Sequence, residues 1–171
     1  LRPYGKYFSP DPASIKSAMV GGIVMNNASG MCCGVHANSY RVLQAVRIIL
    51  PDGTILDTGD PKSRAAFAMS HPKFLRKIEE LRDKTRKNAT LTELIRKKYS
   101  IKNVTGLTIL PFVEYDDPFD IIAHLMVGSE GTLAFLSNIT VSTADICPFT
   151  ASDLLLFPTT KSACEAITEM K

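Results

Sequence analysis

Leu43-Gln-Ala-Val-Arg-Ile-Ile-Leu-Pro-Asp-Gly-Thr-Ile-Leu-Asp-Thr58 is a continuous strand, turn and strand pattern in the middle of the chain. Its two arms are rich in apolar and β-branched residues, which is typical of strands. The Asp-Gly pair between them is a strong hairpin signal, because glycine supplies the positive φ that a tight turn needs. The stretch therefore predicts two antiparallel strands and an antiparallel sheet.

A helical pattern follows the hairpin and covers residues 62–99. Its apolar residues recur at spacings of three and four, as on one face of a helix. Pro72 suits a first helical turn, where its missing N–H costs nothing. Thr90 with Glu93 three residues later forms a capping box, which predicts that a second helix begins at Thr90. We expect a pair of helices inserted between two strands.

The remainder of the chain adds two more strands and two short helices. Residues 100–117 are loop-like, 118–125 predict a helix, and the alternation over 133–143 predicts a strand. Residues 152–157 predict another strand and 160–171 a helix. Because that last pair follows the predicted sheet, we expect residues 1–150 to form one domain and 151–171 to begin the next.

Composition limits the possible functions. The chain has 171 residues, 45% of them hydrophobic, which is enough for one well-buried domain. Its net charge is +3, and the densest basic stretch, residues 76–98, is interrupted by four carboxylates. This pattern favours a solvated helix face over a nucleic-acid surface. No apolar run reaches the roughly 18 residues of a membrane span.

The four cysteines and three histidines do not form a metal motif. Cys32 and Cys33 are adjacent, and no C-x-x-C pair occurs, so reduced and mostly buried thiols in a cytoplasmic protein are expected. The histidines are far apart, which predicts no metal site within this chain. His124 lies in an apolar segment and is expected to be a core residue with its hydrogen bonds satisfied.

Two glycine-containing segments are candidates for ligand binding. Residues 20–30, Val-Gly-Gly-Ile-Val-Met-Asn-Asn-Ala-Ser-Gly, leave backbone amides open to a phosphate or other group. They match neither the dinucleotide fingerprint nor the Walker loop. The alternative for this segment is a closely packed helix crossing and a turn. Residues 128–132, Gly-Ser-Glu-Gly-Thr, form either an ordinary turn or a site in which Glu130 accepts hydrogen bonds from a ligand.

These segments, taken in order, resemble one protein family. The matching motifs are Asp11-Pro12-Ala13-Ser14, Val20-Gly21-Gly22, Asn27-Ala28-Ser29-Gly30, Pro51-Asp52-Gly53 and Gly128-Ser129-Glu130-Gly131-Thr132-Leu133. Together they resemble the FAD-linked oxidases of the vanillyl-alcohol-oxidase (PCMH) type. Within them the chain is similar to the D-lactate, glycolate and D-2-hydroxyglutarate dehydrogenases. The segments 26–34 and 98–106 and the helical insert resemble the subgroup that is fused to an iron–sulfur module.

The resemblance implies an α+β fold, with an antiparallel sheet flanked by helices, as in the second subdomain of the family's FAD-binding domain. That family's glycine-rich pyrophosphate loop belongs to the first subdomain and is not found here, and the chain begins without methionine, so we expect a fragment. The resemblance implies that the cofactor-binding residues are Pro12, Ser14, Gly21, Gly22, Asn27, Ala28, Gly30, Glu130, Gly131 and Ile139. Many relatives have Arg-Tyr-Gly where this chain has Val35-His36-Ala37, so no contact is carried over there.

The function implied for the parent protein is FAD-dependent oxidation of a 2-hydroxy acid such as D-lactate, with an unidentified electron acceptor. The family's substrate-binding and catalytic residues lie in a following domain, so none is assigned to this chain. A cytoplasmic protein is expected, and peripheral membrane attachment of the parent stays open. The alternatives are a flavin-free interaction module without catalysis, or a different FAD oxidase or reductase of the same fold.

Overall fold

The computed structural model describes residues 1–31, 33–104 and 106–170. Its main element is a three-stranded antiparallel sheet in the order β3-β2-β4. Strand β2 spans Leu43–Ile49, β3 spans Ile55–Asp57 and β4 spans Phe135–Val141. Helices pack against this sheet, so the chain has the α+β fold that was predicted.

The predicted hairpin is formed by β2 and β3. Gly53 has φ 85°, and its N–H donates to the Leu50 carbonyl at 2.9 Å. The Asp52 carboxylate accepts from the Thr54 N–H at 2.9 Å, which fixes the turn. The predicted third strand, β4, lies on the other side of β2, with Val46 opposite Ile139.

Three helices, rather than the predicted two, form the insert between β3 and β4. They are α3 (Pro61–Ser70), α4 (Pro72–Lys87) and α5 (Ala89–Tyr99). Pro72 opens α4, as predicted. Thr90 was wrongly predicted as the N-cap of the next helix: the Asn88 side chain accepts from the Leu91 N–H at 3.0 Å and is the cap. Both residue types can cap a helix, and the Asn88 carbonyl bonds to the Thr92 N–H, so α5 begins two residues earlier than predicted.

Arginines on the insert bind the segment that follows it. Arg86 donates through Nε to the Phe112 carbonyl at 3.0 Å and through a terminal nitrogen to the Tyr115 carbonyl at 2.7 Å. Arg64 pairs with Asp117, whose side chain also caps the next helix. These contacts hold the insert against α6 (Pro111–Glu114) and α7 (Pro118–Leu125).

One hydrophobic core joins the sheet to the helices. Val46, Ile48 and Leu56 of the hairpin are 1% exposed or less, as is Ile121 of α7. Two short helices precede the sheet: α1 (Val20–Asn26), whose Val24 lies in the same core, and α2 (Ser39–Val42). None of the described helices is long and apolar enough to cross a membrane.

The last part of the chain packs little against the rest. After the small pair β1 (Lys6–Tyr7) and β5 (Ala144–Asp145), helix α8 spans Thr160–Met170, close to its prediction. The predicted strand at 152–157 was wrong: these residues pair with no strand among the described residues, and Leu154 and Leu156 are each 86% exposed. A strand requires a hydrogen-bonding partner, which an apolar sequence pattern does not guarantee.

Most of the described cysteines are not buried. Cys33 is buried, but Cys147 and Cys164 are exposed, because they belong to this weakly packed terminal part. The prediction of mostly buried thiols was therefore wrong for those two residues. The predictions that involve Cys32, Thr105 and Lys171 lie outside the described residues.

Candidate functional site

Two adjacent glycines lie in the first turn of α1 with open space beside them. A Cβ built on Gly21 or Gly22 would meet no heavy atom within 4 Å. Packing against this chain therefore does not require glycine at either position. Gly30 is different, because a Cβ there would overlap the backbone oxygen of Asp11. The packing alternative thus accounts for Gly30 but not for the glycine pair.

Helix α1 ends in a left-handed residue. Asn27 has φ 52°, and its N–H reaches the carbonyls of Ile23 and Val24. The Ala28 N–H also donates to the Ile23 carbonyl, at 2.8 Å. This is the usual way in which a helix satisfies its last carbonyls, and asparagine tolerates the conformation better than most residues.

The turn at 128–132 docks on that end of α1. The Glu130 N–H donates to the Met25 carbonyl at 2.9 Å, and the Ser129 side chain is 1% exposed beneath it. Three residues of the turn have positive φ: Gly128 at 80°, Glu130 at 53° and Gly131 at 74°. At Gly128 a Cβ would lie 2.7 Å from the Gly106 carbonyl oxygen, so close packing also requires glycine there.

A cavity of about 690 Å³ opens between α1, this turn and β4. Most of the side chains in its wall are apolar, and Glu130 is the one charged residue among the described residues that line it. The lining consists of Met19, Val20, Gly21, Gly22, Met25, Glu130, Gly131, Ala134, Phe135, Leu136, Ser137, Asn138 and Ile139. A flat heteroaromatic ring with a hydrogen-bond donor fits such a wall, since apolar surface favours ring burial and a carboxylate only accepts hydrogen bonds.

Half of the predicted cofactor-binding residues meet at this cavity. They are Gly21, Gly22, Glu130, Gly131 and Ile139, which come from three separate parts of the chain. Asn27 instead borders a second, much smaller pocket of about 30 Å³, and its buried side-chain oxygen has no hydrogen-bond partner among the described residues. The structure does not place Pro12, Ser14, Ala28 or Gly30 at either pocket.

Sequence reasoning missed the side chain that contacts Glu130. The Asn26 amide donates to the Glu130 carboxylate, with Nδ2 and Oε1 2.5 Å apart. It also missed the apolar wall supplied by Met19 and Phe135, which are 82% and 68% exposed. No sequence rule pairs residues 26 and 130, and the only available signal was that both lie in glycine-containing segments.

A second polar cluster lies away from the cavity, between α2, α6 and α7. Arg41 binds Glu114 through two nitrogens, at 2.8 and 2.9 Å, and the Tyr40 hydroxyl donates to the same carboxylate at 3.0 Å. Burial raises the pKa of the Tyr40 hydroxyl above its ordinary value, and the neighbouring Glu114 charge raises this pKa further. The cluster ties three helices together.

His124 belongs to that cluster and is a core residue with satisfied hydrogen bonds, as predicted. Its Nδ1–H donates to the Asp120 carbonyl at 2.8 Å, so Nε2 accepts from the Tyr115 hydroxyl at 2.9 Å. Burial lowers the pKa of His124 below its ordinary value of 6.5. The neutral imidazole is therefore the form that this environment favours.

Comparison with known proteins places the first third of the chain in a characterised family. Residues 1–59 match the family described as an FAD binding domain. The described part of this match includes Gly21 and Gly22, the glycine pair at the cavity. This family match supports FAD as the cofactor. No solved structure matches the chain.

Curated relatives match most of the chain. It is 32% identical over 144 residues to the D-2-hydroxyglutarate dehydrogenase of Pantoea ananatis (strain AJ13355), covering 81% of this chain. The proteins of the same name from Haemophilus influenzae (strain ATCC 51907 / DSM 11121 / KW20 / Rd) and Escherichia coli (strain K12) are 27% and 25% identical, over 80% and 81% of the chain. The chain spans only 14% of the length of each relative. Residues 1–59 thus match the FAD-binding domain of the FAD-linked oxidases, and most of the chain is similar to D-2-hydroxyglutarate dehydrogenases of that family.

Proposed function

We propose that these residues form one wall of the FAD site in a flavin-dependent dehydrogenase that oxidises a 2-hydroxy acid. The observation that carries the proposal is the convergence of Gly21, Gly22, Glu130, Gly131 and Ile139 on one cavity. The resemblance to the FAD-linked oxidases implies the same five residues as part of the cofactor site. The names of the curated relatives favour D-2-hydroxyglutarate over D-lactate as the substrate.

In this proposal the chain binds and shields the cofactor. The bare backbone of Gly21 and Gly22 allows a ring to approach α1 without a side chain in the way. Met19 and Phe135 line the same cavity and offer exposed apolar surface on which a ring is shielded from water. When bound, FAD supplies the acceptor for a hydride from the substrate's α-carbon.

The other groups of FAD need partners outside this wall. A pyrophosphate carries negative charge, and the described residues of the wall offer Glu130 and no cationic side chain. We therefore propose that the phosphates and the substrate are bound by other parts of the parent protein. This agrees with assigning the chain to the second subdomain of the FAD-binding domain.

The proposed domain boundary lies near residue 150. Leu154 and Leu156 expose most of their apolar surface, which a following domain would cover. We propose that residues 151–171 begin the cap domain that binds the substrate. The resemblance of segments 26–34 and 98–106 extends the proposal to an iron–sulfur module elsewhere in the parent.

A substitution at Gly22 tests the proposed function in the full-length protein. Gly22→Leu places a bulky side chain into the open space beside α1 and should remove bound flavin while the protein stays folded. Ala89→Leu, which adds the same side chain to the exposed first turn of α5, is the matched control and should keep its flavin. Flavin is measured as visible absorbance per protein, and folding as circular dichroism.

The two outcomes separate the candidate functions. Full flavin content in the Gly22→Leu protein would show that this surface does not bind the cofactor. A wild-type parent that neither carries nor takes up FAD would instead leave a flavin-free interaction module as the better description. If Gly22→Leu fails to fold, Gly22→Ala provides the same comparison with a single added methyl group.

A further inference from the structure

We propose that Asn26 is a positioning residue: it fixes the Glu130 carboxylate as a hydrogen-bond acceptor for the group that occupies the cavity. This inference rests on the proposed function, because it takes FAD as the occupant. Asn26 itself does not line the cavity, so it would act only through Glu130.

The two side chains contact each other directly, although they are far apart in the sequence. Asn26 Nδ2 donates to Glu130 Oε1 at 2.5 Å, although 104 positions separate the residues. Asn26 is the last residue of α1, and Glu130 is in the turn that docks on the end of that helix. The Asn26 amide, fixed at the end of α1, therefore holds the Oε1 atom of the Glu130 carboxylate in place.

The turn itself does not need a glutamate. Its docking uses the Glu130 backbone N–H, which any residue except proline would offer to the Met25 carbonyl. Its shape is held by Thr132, whose N–H and hydroxyl both reach the Ser129 carbonyl, at 2.9 and 2.6 Å. A glutamate at φ 53° is strained relative to glycine or asparagine. The reason for the carboxylate therefore lies outside the backbone of the turn.

The surroundings of Glu130 limit what its carboxylate can bind. The described residues of the cavity wall include no cationic side chain that could pair with it. An ionised carboxylate accepts hydrogen bonds and repels phosphate, so its partner on FAD is a hydroxyl or a ring N–H. With Oε1 occupied by Asn26, the carboxylate keeps one orientation and its other oxygen can accept from that donor.

A double-mutant cycle in the full-length protein tests this role. The variants are Asn26→Ala, Glu130→Ala and the double variant, and the readout is the Kd for FAD from fluorescence titration of the apoprotein. Asn26→Ala should weaken FAD binding about tenfold, the loss typical of a hydrogen bond to a charged group. In the Glu130→Ala background the same substitution should change the Kd less than about twofold, because the residue it positions is gone.

Asn138→Ala is the matched control, since Asn138 lines the same cavity and, within the described part of the chain, its side chain does not bond to Glu130. Asn138→Ala should change the Kd for FAD by the same factor in the wild-type and Glu130→Ala backgrounds. Thermal midpoints of the apoproteins are measured in parallel. If the contact between Asn26 and Glu130 only stabilised the fold, Asn26→Ala would lower the thermal midpoint, but its effect on the Kd for FAD would not depend on Glu130.

Each outcome decides the question. Equal effects of Asn26→Ala in both backgrounds, or no effect on FAD, would overturn the positioning role. If Asn26→Ala does not fold, Asn26→Asp replaces it in the cycle, and repulsion between two carboxylates should weaken FAD binding further than tenfold. A wild-type protein that binds no FAD would instead refute the proposed function itself, before any variant is compared.

Discussion

Replacing both glycines of α1 by alanine should separate stability from cofactor binding. Gly21 and Gly22 lie within a helix, where glycine is less stable than alanine by about 0.5–1 kcal/mol per residue. Since an added Cβ meets nothing within 4 Å at either position, no clash offsets this gain. The Gly21→Ala/Gly22→Ala chain should therefore be more stable by about 1 kcal/mol, which raises the thermal midpoint by roughly 2–4 °C.

The same double substitution should weaken FAD binding. Two methyl groups would stand between the backbone and a ring in the cavity, and a gap of even 0.5–1 Å loses about a quarter to a half of each dispersion contact. We expect the Kd for FAD of the full-length protein to rise at least about tenfold. Urea unfolding of the chain and flavin titration of the full-length apoprotein measure the two effects. Thr90→Ala, on an exposed turn of α5, is the control and should leave FAD binding unchanged. A more stable variant with unaltered FAD affinity would refute the idea that these glycines serve the cofactor.

Four further predictions follow from other parts of the structure. Gly30→Ala should destabilise the chain by about 1–3 kcal/mol in urea unfolding, because its Cβ would overlap the Asp11 backbone oxygen. Asn88→Ala should cost about 1 kcal/mol of unfolding free energy by removing the cap of α5, whereas Thr90→Ala should cost far less; equal losses would contradict the assignment of the cap. Because the pKa of His124 is lower in the folded chain than in the unfolded chain, the unfolded chain takes up a proton at this residue at a higher pH. The unfolding free energy should therefore fall by up to about 1.4 kcal/mol per pH unit as the pH drops below about 6.5, and this slope should be smaller in His124→Gln. In calorimetric titration the chain alone should bind FAD no more tightly than riboflavin, because the described cavity wall offers the phosphates no cation; much tighter FAD binding would place a phosphate site within this chain.

Local sequence signals predicted the elements that depend on local interactions. The Asp52-Gly53 turn and the apolar, β-branched arm that becomes β2 depend on neighbouring residues, and the structure forms them where predicted. The cap at Asn88 was missed because asparagine and threonine compete for that role within two residues. The strand predicted at 152–157 failed because its formation depends on a partner that no residue within the segment can supply.

The cavity could be predicted only in part, for a related reason. The glycine-containing segments were recognised individually, but their meeting depends on the Met25 carbonyl accepting from the Glu130 N–H, a contact between residues far apart in the chain. Residues such as Pro12 and Ser14 were selected by resemblance alone, and the described cavity does not include them.

The charge distribution explains why this wall and the rest of a flavin site would belong to different parts of a protein. A surface with apolar side chains and one carboxylate stabilises a ring and its hydroxyl groups but opposes a pyrophosphate. A cationic surface has the reverse preference. If α1 and the turn at 128–132 had to form both kinds of surface, the Glu130 carboxylate would pair with the cationic side chain of the phosphate-binding surface. Neither charged group would then be free to bind the cofactor. Keeping the two surfaces apart leaves Glu130 bound by a neutral amide, Asn26, which orients the carboxylate without cancelling its charge.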